Sequence, residues 1–207
     1  MEKIALIMTD RPAQPWKEYI LKADSELRVD IWPDIHDYAA YSTAVVWKHP
    51  AGILKRFENL KLVYSLGAGV DHVLSDPDLP DHIDIARIVD EQLAQSMSNF
   101  IILSVLRQQR RLQEYIANRN NLRWQKLSPI EQEIKVGFLG LGVLGKDAAV
   151  KLAHLGFEVY GFSQSLKYIQ GVTTYCSEQG LEKMLKKVNV IVKLLPLTSY
   201  TGGILDL

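Results

Sequence analysis

Gly140, Gly142 and Gly145 stand in the spacing Gly-x-Gly-x-x-Gly, directly after an apolar run and directly before a stretch of helix formers. A phosphate site needs that order of elements. The first glycine permits a tight turn out of a strand, the second lets bare backbone approach a pyrophosphate, and the third lets the helix pack closely on the strand. Free N–H groups at the helix start, those of Val143 and Leu144 among them, would meet the anion. A glycine-rich turn that binds nothing is the competing reading, and the strand, helix and second strand around the motif weigh against it. About twenty residues on, where a ribose-binding acid would sit, residues 161–167 read Gly-Phe-Ser-Gln-Ser-Leu-Lys, with no carboxylate. Ser163, Gln164 and Lys167 offer polar donors and one cation, which suit a 2′-phosphate and favour NADPH over NADH. For Lys167 the alternative is an ordinary solvated loop lysine.

These residues need a scaffold. Apolar and β-branched runs at Lys3–Met8, 27–32, 44–48, 62–66 and 83–88 alternate with helical patterns at Gln14–Ala23 and 52–57, which predicts a parallel sheet with crossover helices. Residues 93–115 predict one long helix, with Leu93, Met97, Ile101, Val105, Leu106 and Leu112 on its apolar face. A polar stretch at 118–123 and a turn around Ser128-Pro129 follow. A second unit then runs strand 134–139, glycine turn, helix 146–155, strand 157–162, a weakly patterned piece, helix 181–188 and strand 190–195, a β-α-β-α-β series of the dinucleotide-binding kind. The expected division is 1–92, a long hinge helix and linker over 93–129, and a partial Rossmann domain over 130–207.

Composition narrows the function classes. Lys plus Arg equal Asp plus Glu at 24 each, so no global field would draw the chain to nucleic acid or an anionic membrane. No apolar stretch reaches membrane-spanning length. A single Cys176 excludes an internal disulfide and a multi-thiolate metal site, which fits a cytoplasmic protein.

Four segments together carry a more specific likeness: Ala44-Val-Val-Trp-Lys48, Leu66-Gly-Ala-Gly-Val-Asp71, Phe138-Leu-Gly-Leu-Gly-Val-Leu-Gly145, and Leu194-Leu-Pro-Leu-Thr198 followed by Thr201. Over essentially its whole length the sequence resembles the D-2-hydroxyacid dehydrogenases, and within them the glyoxylate/hydroxypyruvate reductase A branch. The resemblance implies an α/β protein with a flavodoxin-like substrate domain and an incomplete Rossmann domain, a cleft between them, and NAD(P)H-dependent reduction of a small 2-oxo acid. It further implies that the backbone of Ala68, Gly69 and Val70 grips the substrate carboxylate, that Trp47 lies near the cleft, and that Leu195, Pro196 and Thr198 lie along the cofactor. A homodimer is implied as well. The segment itself agrees with the carboxylate role, because glycines placed just after a strand can leave N–H groups free for an anion.

The family's proton donor, cation and tuning carboxylate are a His, an Arg and a Glu beyond the Leu-Leu-Pro segment. The sequence as given ends at Gly202-Gly-Ile-Leu-Asp-Leu207, without counterparts of the three. The alternative expectation is therefore an inactive, shortened relative that binds a dinucleotide or only self-associates, with strand 190–195 left as an apolar sheet edge. Of the five histidines, His36, His72 and His82 are expected to be exposed, His154 falls late in a helix, and His49 is expected to be structural or solvated rather than a proton donor. Gln92 and Ala94 stand where the branch would show glycines.

Overall fold

A computed structural model describes residues 2–127, 134–198 and 201–205. The chain forms two compact units, one of Met1–Val89 with Pro196–Leu207 and one of Asp90–Leu195.

The first unit is built on β1 (Lys3–Met8), α1 (Gln14–Ala23), β2 (Arg28–Ile31), β3 (Thr43–Trp47), β4 (Leu62–Ser65), the short α2 (Asp71–Leu74) and β5 (Asp84–Arg87). All strands pair in parallel in the order β2-β1-β3-β4-β5, the flavodoxin-like arrangement. Alternate residues of the central strands feed different cores: Ala5, Ile7, Ala44 and Val46 enter one, Ile4, Leu6, Met8 and Val45 the other. Both faces are thus covered, as a parallel sheet requires. Helix α1 starts with Pro15 in its first turn, where a missing N–H costs nothing. The expected helix at 52–57 is only a 3₁₀ turn, Leu54–Arg56, which nonetheless buries Leu54 completely.

In the second unit follow α3 (Glu91–Gln109), α4 (Leu112–Asn120), β6 (Lys135–Leu139), α5 (Val143–His154), β7 (Glu158–Phe162), β8 (Val172–Tyr175), α6 (Glu178–Leu185) and β9 (Val190–Lys193). Its parallel sheet is ordered β8-β7-β6-β9, the 3-2-1-4 half of a dinucleotide fold, which leaves β9 at an edge of the described sheet with Ile191 exposed.

Several elements differ from the sequence reading. The single long helix is two, because Arg111 adopts a left-handed conformation at φ 53° and its guanidinium grips Glu114 at the start of α4. The buried face of α3 is Ala94, Ser98, Ile101 and Val105, while Leu93 and Leu112 are exposed. Ile101 and Val105 pack in one core with Ala148 and Ala149 of α5, and Ser98 Oγ donates to Asp147 Oδ2 at 2.5 Å. Asp90 caps α3 by accepting from the Gln92 N–H at 2.8 Å. Helix α5 begins three residues earlier than expected, so Gly145 lies inside its first turn, and the weakly patterned piece contains β8, paired to β7. The turn expected at Ser128-Pro129 falls outside the described residues.

Candidate functional site

Two glycine turns lie at the carboxyl ends of the two sheets. In the first unit, β4 ends in Ser65, whose hydroxyl is fully buried. Ser65 Oγ donates to Gly69 O at 2.8 Å and accepts from the Gly67 N–H at 3.2 Å, so it ties the turn to the strand that precedes it. Gly67 has to be glycine, since a Cβ there would stand 2.3 Å from Cζ3 of the Trp47 ring. Trp47 ends β3; its ring carries the Arg11 guanidinium at 4.6 Å and the edge of His72 at 5.0 Å. Ala68 and Val70 are half-buried and Gly69 is exposed, and no acceptor among the described residues takes their N–H groups. The structure thus brings Trp47 and the turn of residues 67–70 together.

Behind the turn lies a buried polar cluster. His49 Nε2 pairs with Asp76 Oδ2 at 3.1 Å, with both side chains almost wholly enclosed. Asp76 also accepts from the N–H groups of Gly52 and Asp78; burial acts to raise its carboxyl, but these bonds and His49 outweigh it and hold it below the usual carboxylate range. His49 is thus buried and paired rather than solvated, and His72 is half-buried against Ser65 at 3.3 Å rather than exposed. The Nδ1 atoms of both histidines have no hydrogen-bond partner among the described residues. Burial pushes both imidazoles below their ordinary 6.5, in His49 against the pull of Asp76. Between 6.5 and those depressed values the unfolded chain binds protons that the folded chain refuses. Stability is therefore complete above pH 6.5 and falls as the pH drops below it. Urea unfolding at pH 7.5 and 5.5 is expected to give the lower midpoint at pH 5.5; equal midpoints would show that the two rings titrate normally.

In the second unit the fingerprint glycines have separate physical causes. Gly140 has φ +103°, and a Cβ on it would press on the Leu194 carbonyl at 2.9 Å and on Leu195 N at 3.2 Å. A Cβ on Gly145 would lie 2.0 Å from Gly140 O. Around Gly142, by contrast, a Cβ would meet nothing within 4 Å. Gly142 precedes α5, whose first intrahelical bond runs from Lys146 N to Gly142 O at 2.9 Å, ahead of which the N–H groups of Val143 and Leu144 are those a helix leaves unsatisfied. Val143 is exposed and Leu144 half-buried. Open space, unsatisfied N–H groups and the positive end of a twelve-residue helix fit a pyrophosphate.

At the tip of β7, Ser163 is buried and its hydroxyl donates to Ser165 O at 2.8 Å, while Gln164 is exposed. Lys167 folds back so that Nζ donates to Leu141 O of the glycine loop at 2.8 Å. Its cation is thereby placed beside the fingerprint. Leu195 packs in the core of the second unit, whereas Pro196 and Thr198 cluster with the first, where Thr198 N donates to Thr201 Oγ1 at 2.9 Å and Thr201 Oγ1 also bonds Pro196 O.

Sequence reasoning missed Ser65 and Arg87. Ser65 is a polar residue ending an otherwise apolar strand, a signal that could have been followed. Arg87 offered none, because its bond to Ala68 O at 3.0 Å crosses 19 positions of sequence.

A parallel sheet in 2-1-3-4-5 order and a second in 3-2-1-4 order whose first turn is an open glycine loop define a two-unit dinucleotide-type α/β protein. The chain belongs to the D-isomer specific 2-hydroxyacid dehydrogenase family: the model of that family's NAD binding domain matches residues 100–207. It is 36% identical over 169 residues to glyoxylate/hydroxypyruvate reductase A of Yersinia enterocolitica, covering 79% of this chain and 54% of that protein. Among solved structures, a D-isomer specific 2-hydroxyacid dehydrogenase from Xanthobacter autotrophicus Py2 in complex with NADPH superposes with a TM-score of 0.89 at 36% identity, over 99% of this chain and 67% of that one. An NADPH-dependent glyoxylate/hydroxypyruvate reductase from Sinorhizobium meliloti with NADP and sulfate gives 0.86 at 36% identity, over 99% and 65%. The chain spans from 54% to 64% of the length of the first curated relatives it matches. Among the described residues no group of acids, histidines and cysteine could hold a metal, and no helix is long and apolar enough to cross a membrane.

Proposed function

We propose that the protein is an NADPH-dependent reductase of small 2-oxo acids of the glyoxylate/hydroxypyruvate class, and that it works in the cytoplasm as a homodimer. The observation that carries the reading is the open approach to Gly142, beside helix N–H groups and the Lys167 cation. In this reading the second unit binds the dinucleotide through Gly140, Gly142, Val143, Leu144, Gly145 and Leu195. Ser163, Gln164 and Lys167 flank its 2′-phosphate, and Pro196 and Thr198 also contact the cofactor. The first unit holds the substrate carboxylate on the N–H groups of Ala68, Gly69 and Val70, with Trp47 beside them. When bound, NADPH supplies a hydride to the substrate's carbonyl carbon. The proton donor, the orienting cation and the tuning carboxylate of that reaction are assigned to no residue of this chain.

Calorimetric titration of the chain with NADPH and NADH tests the reading. NADPH is expected to bind at least about tenfold more tightly, a difference of about 1.4 kcal/mol. Lys167→Ala is expected to weaken NADPH more than NADH, because it removes a cation that only the 2′-phosphate needs. Failure to bind either dinucleotide overturns the reading. Equal losses for both would limit Lys167 to supporting the Leu141 carbonyl. Consumption of bound NADPH on adding glyoxylate or hydroxypyruvate separates a reductase from a relative that only binds.

A further inference from the structure

Three successive carbonyls of the first glycine turn are each held by a different donor. Gly67 O accepts from the Ile88 N–H at 3.3 Å, Ala68 O from Arg87 Nη1 at 3.0 Å, and Gly69 O from Ser65 Oγ at 2.8 Å. A trans peptide is planar, with its C=O and N–H pointing in opposite directions. Fixing those three carbonyls therefore fixes three N–H groups on the other side, those of Ala68, Gly69 and Val70. None of these has an acceptor among the described residues. The donors are themselves well anchored. Ser65 Oγ directs its one proton at Gly69 O, with Gly67 O farther off at 3.4 Å, accepts from the Gly67 N–H, and has Nε2 of His72 at 3.3 Å. Arg87 ends β5, which pairs with β4 in the register Ser65 opposite Arg87, so the two side chains leave the sheet at the same level.

We propose that Arg87 and Ser65 are positioning residues for carboxylate binding: by holding the carbonyls of Ala68 and Gly69, they aim the N–H groups of Gly69 and Val70 at the anion without touching it. The inference rests on the carboxylate site proposed above. It assigns Arg87 a neutral task, capture of a backbone oxygen, in place of the charge attraction that an arginine near an anion site would first suggest.

The test uses the 207-residue chain labelled with ¹⁵N, with glyoxylate as the probe. Amide residual dipolar couplings are measured first without glyoxylate, then the shifts of residues 68–70 are followed during titration. Arg87→Met is expected to change the Gly69 coupling, to leave those of β4 unchanged, and to weaken glyoxylate about tenfold. Arg87→Lys, whose ammonium can donate to the same carbonyl, is expected to restore both. Ser65→Ala is expected to change the coupling at Val70 in the same way. Weaker binding in Arg87→Met with unchanged couplings would mean that Arg87 acts by charge, and the positioning role would be wrong. Unchanged binding would also overturn it. A wild-type chain whose residues 68–70 do not respond to glyoxylate would instead overturn the carboxylate site, a failure that the glyoxylate-free couplings keep distinct.

Discussion

Gly142→Ala is expected to cost at least about a hundredfold in NADPH affinity, about 2.7 kcal/mol, while the folded chain barely notices the change. The two halves of that expectation come from different observations. A Cβ at this position meets no protein atom within 4 Å, and φ is −71° with an extended ψ, which any L-residue adopts. Alanine is a poorer N-cap than glycine, but replacing glycine also removes freedom from the unfolded chain, so the net change in stability stays within about 1 kcal/mol. A methyl group there would nevertheless occupy the approach that a pyrophosphate requires. Titration calorimetry beside a urea melt reads both quantities. Unchanged affinity with unchanged stability would mean that the glycine loop serves folding alone, and the dinucleotide reading would fall.

The motif already gives the three glycines separate expected roles, but the sequence alone does not show what a side chain would meet at each. Their spacing located the turn correctly because strand, turn and helix are contiguous and each leaves a local signature: the apolar run of residues 135–139, the glycines, then the small and apolar residues of α5. What distinguishes Gly142 from Gly140 and Gly145 is the position of the Leu194 and Gly140 carbonyls, which only the folded chain fixes.

The same contrast between local and distant causes runs through the fold. The central strands were legible because parallel strands buried on both faces read as continuous apolar runs. The break at Arg111 was not, because a left-handed arginine replaces the glycine or proline that would have announced it. On α3 the expected face holds at Met97, Ile101 and Val105, but periodicity also favoured the large Leu93, which is exposed, and passed over the small buried residues Ala94 and Ser98. Strand β8 was missed because three half-buried residues and one exposed residue at a sheet edge carry little hydrophobic pattern. At the site, the backbone turn at residues 67–70 was visible through its glycines, while the Ser65, Arg87 and His72 side chains that shape it act across the sheet and helix packing.

Gly145→Ala should produce the opposite pattern to Gly142→Ala. The added Cβ would lie 2.0 Å from the Gly140 carbonyl oxygen, a backbone atom that cannot rotate away as a side-chain tip would. Relief requires α5 to move off β6, yet α5 is held on its other side by Ala148, Ala149 and Leu152, all fully buried in the core that also includes Ile101 and Val105 of α3. Interiors packed this densely deform only by disturbing several contacts together. The expected cost is at least about 3 kcal/mol, at the upper end of overpacking changes. It would appear as a lower urea midpoint and as lost amide-exchange protection in β6 and α5, with protection in β1 and β3 unchanged. NADPH binding should fall too, but as a consequence of the displaced loop. Increasing NADPH should then recover part of the lost stability, because a ligand that prefers the native loop draws the population back toward it. A Gly145→Ala chain with wild-type stability would mean that the helix does not approach the strand as closely as the 2.0 Å contact requires. The division of the fingerprint into one ligand-facing glycine and two packing glycines would then have to be abandoned.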